Sequence, residues 1–66
     1  MDRQKMIDNL IGQSVKVNVY GTVLIGIIQG RLSPWACVHL PGQVASIVYS
    51  WDTVNNAVKN GDTLLV

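Results

Sequence analysis

The apolar positions of this chain change their period as the sequence proceeds. Met6, Ile7, Leu10 and Ile11 form a stripe at helical spacing, which predicts a short helix over residues 1–11. Asp2 is placed to start it and Gly12 to stop it. A helix this short does not persist alone, so it must lie on an apolar surface. From Ser14 the period becomes two: Val15, Val17 and Val19 alternate with Lys16, Asn18 and Tyr20, the mark of a half-buried strand. Gly21-Thr22 reads as the tight turn that follows. Residues 23–29 are almost continuously apolar and rich in β-branched side chains, which predicts a strand buried on both sides. Gly26 inside it marks a bend or a close backbone approach.

Gly30 and Ser33-Pro34 break the pattern. A third strand is expected over 35–40, a turn at Pro41-Gly42, and a fourth strand over 44–51. Residues 52–59 fit neither period well, because Asn55 and Asn56 favour neither helix nor strand. Asn60-Gly61 is a turn, and Thr63–Val66 is a short apolar segment with strand character. One helix and about five short strands with brief connections predict antiparallel pairing. Strands this short and bent satisfy their edges best by curling. The expected fold is mainly β: a single domain over 1–66, with a short N-terminal helix and a five-stranded, strongly bent antiparallel small barrel.

Length and composition sharpen this picture. A chain of 66 residues buries only roughly 60% of the surface its unfolded form exposes. Small domains usually need a disulfide, a metal or a partner. One Cys excludes an internal disulfide, and one Cys with one His excludes a closed four-ligand zinc site within one chain. Hydrophobic residues make up 48% and charged residues 14%, against about 25% charged in typical domains. Several predicted strands are apolar on both faces, so a second copy is the expected cover. A net charge of +1 sets up no strong field toward a polyanion or an anionic membrane. The first ten residues are polar and charged, unlike a signal peptide. The uncharged stretch 32–51 is broken by Pro34, Pro41 and Gly42, so it is no membrane helix. A cytoplasmic location and no membrane partner are expected.

Catalytic chemistry finds little footing. The four Asp residues are scattered and there is no Glu, so paired-carboxylate and two-metal mechanisms lack their groups. Gly21, Gly26 and Gly30 are followed by no Gly-Lys-Ser/Thr and make no phosphate loop. Cys37 and His39 stand two apart on one strand without an evident third group to orient them. No enzyme activity, cofactor or metal is expected.

The run Val15-Lys16-Val17-Asn18-Val19-Tyr20, the following Gly21-Thr22-Val23-Leu24-Ile25-Gly26, and Ile47-Val48-Tyr49-Ser50-Trp51 resemble the Sm-like superfamily, which includes the Sm and LSm proteins and bacterial Hfq. Gly26 matches the glycine of the bent second strand, 36–40 the third strand, 47–51 the fourth and 54–58 the fifth. Ser50-Trp51 stands where Hfq carries Lys-His. The resemblance implies a homo-oligomeric ring of six or seven subunits, built by joining the fourth strand of one to the fifth of the next, and it implies binding of single-stranded RNA. It also implies that the 30–35 loop and the 49–53 turn meet near the pore. There Trp35 and Trp51 would stack on bases, Arg31 would meet a phosphate, and Asp52 with Asn55 or Asn56 would read base edges, beside Tyr49 and Ser50. The bland alternative is that both indoles plug the interior or a subunit seam. Two other functions fit the same sequence. One is a binder of a nucleotide or cyclic nucleotide, a sponge of the kind found among compact viral proteins. The other is a structural or adaptor oligomer.

Overall fold

A computed structural model describes residues 2–30, 34–44 and 46–66. Its elements are α1 (Asp2–Leu10), β1 (Ser14–Val19), β2 (Thr22–Gln29), β3 (Ala36–His39), β4 (Ile47–Tyr49), α2 (Trp51–Asn60) and β5 (Leu64–Leu65). The strands form one sheet in the order β4-β3-β2-β1-β5. The architecture is the expected one: an N-terminal helix, then a five-stranded sheet curled into a half-barrel.

β1 and β2 form an antiparallel hairpin in which Val15 faces Gly26, Val17 faces Leu24 and Val19 faces Thr22. The two-residue turn is therefore Tyr20-Gly21, one position earlier than Gly21-Thr22. Both turn residues have positive φ, 49° and 95°, as a type I′ turn requires. The Asn18 Oδ1 accepts the Gly21 N–H at 2.8 Å and braces it. β2 curves where Gly26 lies against β3: a Cβ there would come within 2.5 Å of Val38 Cγ1 and 3.1 Å of Leu40 Cδ2. At the far end of β2, Gly12 N–H donates to Ile28 O and Ile28 N–H to Gln13 O, at 2.8 and 2.9 Å, tying the end of α1 to the sheet.

Three expectations are corrected. The fifth strand at 54–58 is part of α2. Ser50 caps that helix, accepting the Thr53 N–H on its Oγ, and Gly61 ends it in the left-handed conformation. Between the caps Trp51, Val54 and Ala57 turn one face into the core. Secondly, pairing is not antiparallel throughout. α2 is a crossover, so β5 arrives parallel to β1, with Val17 opposite Leu64 and Asn18 opposite Leu65. Thirdly, the third and fourth strands are shorter than predicted: Trp35 lies before β3, and Val44 lies in the connection before β4.

The core consists of Leu10, Val15, Val17, Ile28, Ala36, Val38, Leu40, Trp51, Val54, Ala57 and Leu64, joined by half-buried Met6, Ile7 and Leu24. It fills the concave side of the sheet, with α2 as its lid. Fully burying one such aliphatic side chain contributes about 1.5–3 kcal/mol. Trp51 is the largest of the fully buried side chains. Its indole takes the space beside Gly30, where any Cβ would overlap it. Across the mouth of the half-barrel the Tyr49 hydroxyl donates to the Leu65 carbonyl at 3.1 Å, bridging the two edge strands.

Candidate binding surfaces

Residues 49–55 are adjacent in sequence, but the half-turn from β4 into α2 sends their side chains apart. Tyr49 is half-buried and spends its hydroxyl on Leu65. Burial raises its phenol pKa above the ordinary 10.0. The Ser50 hydroxyl caps α2 and lies 2.7 Å from the Thr53 hydroxyl. Trp51 is 1% exposed, so neither face of its indole is open to a base. Its place is the plug of the interior. Asp52 is exposed and sits 3.4 Å from Arg3 in an ion pair, worth little at such exposure. Asn55 is half-buried and lines a groove between α1 and α2. Arg31 lies outside the described residues. Trp35 stands apart just before β3 with its indole 52% exposed. The structure thus does not gather 49–55 into one cluster, and it leaves Trp35 as the open aromatic of the set.

Cys37 and His39 both sit on β3 and are half-buried. His39 lies opposite Ile27, and Cys37 lies opposite Gln29 and Val48. Among the described residues no three His, Cys or Asp side chains come together as metal ligands. No helix is long and apolar enough to cross a membrane among those residues.

Three further features stand out in the structure. The first is the outer, convex face of the sheet. Val23, Ile25 and Ile27 alternate with the core residues of β2 and are 54%, 52% and 40% exposed. Lys16 and Asn18 flank them on β1, His39 on β3. Val48 and Leu65, on the two edge strands, are also exposed. β2 is therefore apolar on both faces but buried on one, which corrects the expectation of a strand buried on both sides. The second is the groove between the helices, about 370 Å³, with Met6, Leu10 and Val58 below and Lys5, Lys59, Asn9 and Asn55 on its walls. The third is a smaller hollow of about 180 Å³ at the edge of β1, against the last turn of α2. β5 covers only Val17 and Asn18, so the backbone edge of residues 14–16 is left open beside it. The run 23–28 was legible as apolar, but which of its faces the chain covers was not.

No protein-family model matches this chain, and no curated protein or solved structure matches it.

Proposed function

We propose that this chain is a non-enzymatic binding module that works as a homo-oligomer. The observation that supports it is the row Val23, Ile25, Ile27 on the convex face, extended by Val48 and Leu65. Isolated exposed aliphatics are ordinary, whereas a continuous row on an otherwise uncovered sheet favours an interface. β4 and β5 stand at the two edges of the sheet, the place of the strands an Sm-like ring would join. However, β5 is not the 54–58 segment of the resemblance, which is helical, and it pairs parallel with β1. Both edges are short, of three and two residues, so the apolar face has to supply most of the burial. The native mass tests this reading. A particle at a multiple of 7.2 kDa is expected from light scattering, and Ile27→Lys is expected to reduce it. A wild-type monomer at micromolar concentration ends the proposal.

A second reading, binding of single-stranded RNA, is favoured by Trp35. Its half-exposed indole is free to stack on a base, which is worth about 1–3 kcal/mol. With a net charge of +1 per chain, the affinity should fall only gently with salt. Trp35→Ala is expected to weaken a gel shift with a single-stranded oligonucleotide by roughly 5- to 150-fold and leave the particle mass unchanged. If neither wild type nor variant shifts RNA at low salt, this reading fails and the oligomer reading is untouched.

A further inference from the structure

Tyr20 is the one non-glycine residue with positive φ among those described. For a bulky L-residue that is a true outlier. Asn or Asp is the usual occupant of this turn position, because a short polar side chain can bond locally. Among the described residues Tyr20 makes no side-chain hydrogen bond, and its ring is 89% exposed. The Asn18 bond to Gly21 braces the turn backbone but leaves the ring itself exposed. Backbone strain of this kind is kept where the surroundings or a function require it, and here it holds an aromatic ring out at a hairpin tip.

The same chain carries a socket for such a ring. The hollow beside the open edge of β1 has walls from Val15, Ile25, Ala57 and Val58, with Lys16 and Asp62 also lining it. Its volume of about 180 Å³ exceeds the roughly 150 Å³ of an apolar cavity that accepts benzene. The charges suit a phenol: the Asp62 carboxylate can accept a hydrogen bond from the hydroxyl, and the Lys16 ammonium favours the ring face. Tyr20 cannot use its own socket. It lies four residues beyond Lys16, roughly 13 Å along the strand.

We propose that Tyr20 of one copy seats in this hollow of a second copy. The inference rests on the self-assembly reading and adds the contact that directs it. Knob and socket are different surfaces, so the exchange is either reciprocal in a two-fold dimer or head-to-tail in a ring or fibre. An aromatic side chain buries about 150–250 Å², around a quarter of the ~800 Å² per partner in a standard interface. Val23, Leu65 and Val66 beside the knob, all exposed, extend the contact. Ile25 belongs to both the socket wall and the convex row, so the socket is continuous with that face.

The test uses two variants of the full chain. Tyr20→Asn removes the knob with a residue the turn prefers, so folding is retained. Ser14→Trp fills the socket from its exposed rim. Each alone is expected to sediment as a monomer, with association weakened roughly 30-fold or more, the effect of removing a hot-spot aromatic. Mixed, they are expected to form a one-to-one dimer, since one intact knob and one intact socket remain. Tyr20→Asn keeping the wild-type mass, or a mixture that stays monomeric, overturns the proposal while leaving the oligomer reading in place. A monomeric wild type removes both.

Discussion

The hydroxyl of Tyr49 carries more than its size suggests. It is the side-chain link between the two edges of the half-barrel, reaching Leu65 from β4. Removing it in Tyr49→Phe should cost about 0.5–1.5 kcal/mol, the net worth of one hydrogen bond, measured by urea unfolding at neutral pH. Burial raises this phenol's pKa above 10.0, so the unfolded chain loses the proton first as pH rises. The associated stability is complete below pH 10.0 and is lost as pH climbs through the folded value. Urea midpoints of the wild type should therefore fall more steeply above pH 10 than those of Tyr49→Phe, and parallel curves would refute the assignment. Residue chemistry of this kind was only half legible. The sequence shows two Trp, and nothing in its local pattern says that Trp51 is the buried one. Burial was decided by Gly30, distant in sequence, which leaves the space the indole fills. Trp51 fits there at a cost: among the described residues its buried Nε1–H has no partner.

At the scale of elements, α2 is where the sequence reading and the fold part company. Its signals were present: Ser50 three residues before Thr53, Trp51, Val54 and Val58 on one face, and Asn60-Gly61 at the end. Val54, Val58, Asn55 and Asn56 have poor helix propensity, which obscured them. The caps and the apolar face prevail, because ten residues are too few for propensity alone to decide. The Ser50 cap is thus expected to be important. Ser50→Ala should destabilise the protein by about 1 kcal/mol and lower helical circular dichroism near the transition, whereas Ser50→Asp should retain most of the stability. α1 and the strands β1, β2 and β3 were legible from their period, whereas the hairpin turn lies one residue earlier than Gly21-Thr22 and Trp35 falls outside β3. β5 was legible only as an apolar segment. Its partner and direction depend on α2 being a helix.

For the whole molecule, the balance of surfaces is unusual. One face of the sheet is sealed by α2, and the other presents aliphatic side chains to solvent. If copies cover that face, stability becomes a function of concentration, because binding only the folded form stabilises it by mass action. The melting temperature is expected to rise by several degrees between micromolar and submillimolar protein, and Ile27→Lys should flatten that dependence. A melting temperature independent of concentration for the wild type would assign its stability to the single chain. No pattern within one chain could have decided this, since periodicity reports which residues are apolar and not what covers them.

The parallel pairing of β1 with β5 also bears on the order of events. Residues 17 and 64 meet across most of the chain, and the loop between them holds β2, β3, β4 and α2. Closing so long a loop before its contents are ordered would cost entropy for only a two-residue ladder. The last strand is therefore a latch that engages after the rest has assembled. The amides of β5 and of Val66 just after it, whose N–H donates to Asn18 O, should open and exchange with deuterium well before those of the β1–β2 hairpin.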